Sequence, residues 1–173
     1  GDHNILNSLA VIAVAHQENL SLDLIADELL TYQGTKRRFA ETTYGTTVVI
    51  DDYAHHPTEI KATLLAARQK YPTKKLVAVF QPHTFSRTLE FQDQFAEILQ
   101  TADQVYLTPI FGSAREAQGK ISSEDLAAKI SPTTEVITKD TVQDMLQDEA
   151  AVYVFMGAGD IQKYETEFEK LLK

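Results

Sequence analysis

The sequence predicts an α/β fold: a Rossmann-like, mostly parallel sheet with helices on both faces, preceded by two helices. Three observations carry that expectation. Beyond residue 34, short runs rich in Val, Ile and aromatic residues alternate with segments of helical periodicity. Three of those runs end in polar or glycine-rich loops, as strands do at the ligand-binding edge of such folds. The first 33 residues have helical spacing and no strand pattern.

Leu6, Leu9, Ala10, Ala13 and Val14 recur at helical spacing, which predicts a first helix over about 7–15. Ser21 is the candidate N-cap of a second helix, with Leu22, Ile25, Leu29 and Leu30 on one face. Gly34 is the candidate C′ residue ending it. A domain boundary follows, giving 1–33 and 34–173. Strands are expected near 47–51, 75–80, 104–108, 134–138 and 151–156. Helices are expected near 58–70, 87–100, 122–130, 140–148 and 160–172. Strict alternation of this kind makes parallel neighbours by right-handed crossovers.

Composition excludes several classes. A net charge of −9 argues against nonspecific nucleic-acid binding, which needs a basic face. There is no apolar run near twenty residues, so no membrane span is expected. The polar start, Gly1-Asp2-His3-Asn4, is not a secretory signal, and it reads as the continuation of a longer protein. Cysteine is absent, which removes disulfides and thiolate metal sites. These features fit a cytoplasmic protein.

The polar strand ends hold the candidate chemistry. Asp51-Asp52-Tyr53-Ala54-His55-His56-Pro57 follows one strand and opens a helix. Five such polar groups are too costly to bury unpaired in a core. The plain alternative is an Asp-rich turn ending in an N-cap. Asp52 can bind a ribose hydroxyl or a Mg²⁺-associated phosphate. Arg37 and Arg38, beside Phe39, suit bidentate pairing with phosphate, unless they are only a solvated basic pair. Gln81-Pro82-His83-Thr84-Phe85-Ser86-Arg87-Thr88 follows a second strand. His83 and Arg87, four apart, share a face if a helix begins within the cluster, and together can hold a carboxylate or phosphoryl oxygen. Adjacent His55 and His56 point oppositely on an extended segment, so one faces the site. A zinc site from His55, His83 and Asp52 lacks any H-x-x-x-H spacing, and no metal ligand is assigned. Gly157-Ala158-Gly159 follows the last strand. Position 162 is Gln where a dinucleotide fingerprint needs Gly, so a tight turn at a helix N-terminus is the better reading.

These blocks resemble the Mur ligases of peptidoglycan synthesis. The resemblance is carried by Gly1-Asp2-His3-Asn4-Ile5-Leu6-Asn7-Ser8-Leu9-Ala10, Gly34-Thr35-Lys36-Arg37-Arg38-Phe39, the segment from Asp51 to Ile60, that from Phe80 to Thr88, and that from Phe155 to Ile161. The segment Asp52-Tyr53-Ala54-His55-His56-Pro57-Thr58-Glu59-Ile60 is specific to the alanine-adding branch. The resemblance implies a three-domain enzyme in which 1–33 ends the central ATP domain and 34–173 is the last domain. It implies ATP and Mg²⁺ as cofactors, UDP-N-acetylmuramate and L-alanine as substrates, and upstream domains of the same chain as partners. The lactyl carboxylate would become an acyl phosphate, which the alanine amine attacks.

By the same resemblance, Asn4, Asn7 and His3 would read adenine. Arg38 would reach ATP phosphates. Asp52 would bind the ribose side or orient that arginine. His55, His83 and Arg87 would lie near the amino-acid carboxylate and the reacting phosphate. Many family members carry Arg-Tyr where this chain has Thr84-Phe85; if that arginine helps grip the alanine carboxylate, Arg87 does more of that work here or another cation substitutes. No G-x-x-x-x-G-K-[ST] phosphate loop occurs, so residues 1–173 alone are expected to be inactive. The alternatives are a murein-recycling ligase that attaches a whole peptide to the same sugar, a stand-alone nucleotide-binding domain, and a noncatalytic interaction module.

Overall fold

The computed structural model describes every residue except Gly1, Gln33 and 147–149, and of Asp2 and His3 the backbone alone. The chain forms two compact units, Gly1–Thr35 and Lys36–Lys173.

The first unit is a helix pair, α1 (Asp2–Gln17) and α2 (Leu22–Thr31). Ser21 stands at the N-cap in an extended conformation, without a side-chain cap bond. The second helix stops earlier than expected. Tyr32 is its C-cap, and Gly34, at φ +83°, lies two positions beyond it rather than directly after it. Ala15 and Ile25 are buried. Leu6, Leu9, Val14, Leu22 and Leu30 are exposed, Leu30 at 85%. Two short helices offer too little surface to bury both apolar faces.

The second unit is built on a six-stranded sheet. Its strands are β1 (Ala40–Tyr44), β2 (Thr47–Asp52), β3 (Lys75–Phe80), β4 (Gln104–Leu107), β5 (Glu135–Val136) and β6 (Ala151–Met156). They lie in the order β1-β2-β6-β3-β4-β5. Every pairing is parallel except β1 with β2. The sequence reading missed β1 because Ala40-Glu41-Thr42-Thr43-Tyr44 is short and mostly exposed, with no apolar face to mark it. Gly45, at φ +57°, begins the two-residue loop that returns the chain to β2.

Four helices cover the sheet: α3 (Pro57–Lys70), α4 (Phe85–Leu99), α5 (Ser123–Ile130) and α6 (Gln162–Leu171). The helix expected near 140–148 is a 3₁₀ segment, Lys139–Met145, and positions 147 and 148 lie outside the described residues. One core joins Ile50, Phe80 and Val154 of the sheet to Leu64, Phe95, Leu99 and Leu126 of α3, α4 and α5. The other joins Val49, Tyr153 and Phe155 to Met145 and to Phe168 of α6. Alternate residues of one strand thus feed opposite cores, which is why β6 is buried along its whole length.

This topology sets the site. β2, β6 and β3 are parallel neighbours, and Asp52, Met156 and Phe80 stand in one row of the sheet. The loops that leave them open on the same carboxyl edge.

Candidate functional site

The β2–α3 loop separates its two histidines, as their extended spacing predicts. His56 is the N-cap of α3. Thr58 N–H donates to its Nδ1 at 3.3 Å, and its ring meets Phe91 edge-on at 4.9 Å. Glu59 returns the cap by accepting the N–H of His55 at 3.0 Å and of His56 at 3.2 Å. His55 turns instead toward the β3–α4 loop, its ring 6.2 Å from that of His83. Its Nδ1 lies 3.0 Å from the Tyr53 carbonyl and 3.3 Å from Glu59 Oε2.

His83 and Arg87 come together by a route the spacing did not foresee. The helix begins only at Phe85, so His83 precedes it. Thr84 makes the corner at φ 63° and ψ 142°, a region that strains a β-branched residue. Three hydrogen bonds hold that corner. Thr84 N–H donates to Phe111 O at 2.9 Å, and Thr88 gives its N–H and its hydroxyl to Thr84 O at 3.1 and 2.7 Å. Burial and the Arg87 guanidinium push the His83 pKa below its usual value, so this imidazole is neutral at neutral pH. His83 Nδ1 and one terminal nitrogen of Arg87 are buried with no hydrogen-bond partner among the described residues. Orphaned polar atoms of this kind mark a place where an outside group completes the bonding.

The arginine pair divides its work. Arg37, at φ 58°, donates to the Gly157 carbonyl at 2.5 Å and lies 3.6 Å from Asp51. It is occupied inside the fold. Arg38 is exposed, and both guanidinium groups stand over the Tyr53 ring, at 4.8 Å for Arg37 and 5.6 Å for Arg38. Asp52 accepts the N–H of Phe39 and of Ala54, each at 2.8 Å. One oxygen goes to each, which ties the arginine segment to the end of β2. Burial raises the Asp52 pKa against those two bonds and the charge of Arg38.

On the opposite face, Asp51 accepts from Gln162 Nε2 at 3.1 Å. Burial, followed by the charges of Asp51 and Glu169, pushes Glu165 up to about 8, with Arg37 opposing.

The glycine turn serves close packing. A Cβ at Gly157 would come within 3.0 Å of Gln81 Cβ, and one at Gly159 within 2.5 Å of Gln81 Oε1. Gln81 in turn donates to Asp160 at 2.8 Å, which binds the β3 and β6 loops together.

Asn4 and Asn7 lie three apart on α1 and are exposed. The side chain of His3 lies outside the described residues. Among the described residues no group of three His, Asp or Glu side chains could hold a metal ion, and His55, His83 and Asp52 are not so gathered. Among them, too, no helix is long and apolar enough to cross a membrane. Glu59, Thr88 and Phe111 support the candidate site, and the sequence reading did not single them out. Glu59 alone had a usable signal, since Pro57 and an acid two residues later make a helix-start pattern.

Comparison with known proteins gives the lineage. A family model described as the Mur ligase, glutamate ligase domain matches residues 37–160. The UDP-N-acetylmuramate–L-alanine ligase of Lactobacillus acidophilus is 60% identical over 172 residues, covering 99% of this chain and 39% of that protein. The chain therefore spans about two fifths of the length of such relatives. The crystal structure of UDP-N-acetylmuramate–alanine ligase MurC from Thermotoga maritima superposes with a TM-score of 0.80 at 30% identity, over 99% of this chain and 38% of that one. A murein peptide ligase from Psychrobacter arcticus superposes with a TM-score of 0.67 at 25% identity, over 99% of this chain and 37% of that one. With the domain match running from the Arg37 segment to the Asp160 turn, the chain belongs to the Mur ligase family.

Proposed function

We propose that this chain is the amino-acid-handling part of an ATP-dependent ligase that joins L-alanine to UDP-N-acetylmuramate in the cytoplasm. One observation carries the reading. His83 Nδ1 and Arg87 present unfilled, buried hydrogen-bonding capacity beside His55 at the carboxyl edge of the sheet. A guanidinium next to a neutral imidazole suits a carboxylate or phosphoryl oxygen. In this reading Arg87 and His83 hold the alanine carboxylate or the reacting phosphate. Arg38, exposed beside Tyr53, reaches toward ATP phosphates, and Asp52 fixes the segment that carries it.

Residues 1–33 then close the central ATP domain. Asn4 and Asn7 offer the donor and acceptor that an adenine edge requires. The exposed apolar residues of α1 and α2 support this, since they suit a helix pair built into a larger body. The described residues offer no ligand set for Mg²⁺, so that ion would be held by phosphates and by upstream residues.

The complete ligase should release phosphate only when ATP, UDP-N-acetylmuramate and alanine are all present. A peptide-adding ligase would accept a peptide in place of alanine. The higher similarity to the alanine ligase favours the first outcome. Alanine-independent turnover would refute the reading. Residues 1–173 alone should bind ATP weakly, because the phosphate loop is missing. Titration calorimetry that found micromolar affinity would contradict that assignment.

A further inference from the structure

We infer that Glu59 is a positioning residue for the amide-forming step, holding His55 as the acceptor of the proton that the incoming amine must lose. This rests on the ligase reading above. It adds a charged partner to His55 and gives that histidine a defined ring nitrogen and task.

The geometry fixes the tautomer. Both neighbours of His55 Nδ1, the Tyr53 carbonyl at 3.0 Å and Glu59 Oε2 at 3.3 Å, are acceptors. Nδ1 must therefore carry the hydrogen in the neutral ring, and Nε2 keeps its lone pair. The Tyr53 carbonyl takes the N–H. Glu59 supplies negative charge at contact distance and stabilises the ring once Nε2 is protonated, the role of a carboxylate behind a catalytic histidine.

Glu59 is itself held by hydrogen bonds. Its Oε2 accepts the N–H groups of His55 and His56, so the carboxylate is held by the backbone it caps. Burial acts to raise its pKa, but those N–H bonds and the Arg38 charge outweigh burial and keep it ionised at neutral pH. A helix cap needs only one acceptor oxygen here. That one oxygen, Oε2, also stands 3.3 Å from the His55 ring, so the capping geometry itself sets the carboxylate charge against the imidazole.

The step balances. An ammonium proton passes to His55 Nε2. The freed nitrogen pair attacks the carbonyl carbon of the acyl phosphate. The carbon–oxygen bond to phosphorus breaks with its electrons on phosphate, which leaves carrying the second amine proton. Glu59 takes no proton at any point.

The test uses the complete ligase with Glu59→Gln, which keeps an acceptor for the cap and removes the charge. With alanine, kcat should fall on the order of tenfold or more, with the KM for ATP unchanged. The melting temperature should stay close to wild type. With hydroxylamine, whose nitrogen is already unprotonated at neutral pH, the variant should match wild type. In a His55→Ala background, Glu59→Gln should cause no further loss. An unchanged kcat with alanine, an equal loss with both amines, or an additive loss in the double variant overturns the inference. If wild-type enzyme makes no alanine adduct at all, the ligase reading fails instead.

Discussion

Phe111 lies flat against the His83 imidazole, with ring centroids 5.8 Å apart and planes 19° from parallel. The pair is locked at the backbone as well, since Phe111 N–H donates to Pro82 O at 2.8 Å and Phe111 O accepts from Thr84. A residue on the β4–α5 connection therefore sets the attitude of a candidate site residue on the β3–α4 loop.

Gly159 bears on the same ring. A Cβ there would sit 2.5 Å from Phe111 Cγ and 2.5 Å from Gln81 Oε1. Gly159→Ala should force both side chains aside and destabilise the fold by about 1–3 kcal/mol, the usual cost of overpacking. Urea unfolding of residues 1–173 measures this. An unchanged midpoint would show that the turn has slack that the structure does not indicate.

If Arg87 grips the substrate as proposed, Arg87→Ala should cost the complete ligase about 2–4 kcal/mol of transition-state stabilisation, because the guanidinium that would make a charge-assisted hydrogen bond to it is gone. Steady-state kinetics with alanine varied would register it, while the melting curve should barely move. His55→Ala should behave the same way. His56→Ala should do the reverse, because its ring caps α3 and packs on Phe91. Its loss should appear as about 1 kcal/mol of stability, with turnover nearly intact. Normal alanine kinetics in Arg87→Ala would remove that residue from the site.

Asp52→Ala should be costly in a different way. It strands the N–H groups of Phe39 and Ala54, and leaving buried donors unpaired costs about 2–4 kcal/mol in total. Asp52→Asn should lose less, because its amide oxygen still accepts one of them. Denaturant titrations of both variants order these effects, and equal losses would contradict the two-bond account.

Glu165 gives a pH dependence with a definite sign. Its folded pKa of about 8 lies above the ordinary 4.5. Between those values the folded chain holds a proton that the unfolded chain releases. Stability contributed by this group is therefore full below about 4.5, declines as pH rises through the window, and is lost above about 8. Glu165→Gln cannot release that proton, so its advantage over wild type should grow from acid to alkaline pH. Melting temperatures of both proteins across that range would reveal it, and parallel profiles would refute it.

Much of this was legible from residue types alone. Val48-Val49-Ile50 and Leu76-Val77-Ala78-Val79-Phe80 read as buried strands, and the polar residues after each marked the carboxyl edge of the sheet that holds the candidate site. The Arg37-Arg38 pair could not be divided by sequence. Arg37 is committed inward by Gly157 and Asp51, partners 120 and 14 positions away, and no local pattern encodes such distances. Thr84 was equally opaque. Its left-handed backbone runs against its residue type and exists because Phe111 and Thr88 hold it there. Strand β1 failed for want of an apolar face.

That same strand has a further consequence, for how the molecule meets its own copies. A sheet rim with free N–H and C=O groups invites another chain to extend it. Here one rim is β1, five residues long, with Glu41 on it engaged by Lys70 at 2.8 Å. The other rim is β5, only two residues long. Neither offers a long, flat, apolar template. The adhesive central strands β6 and β3, whose exposed stacking would drive aggregation, are sealed between rims too short and too polar to propagate.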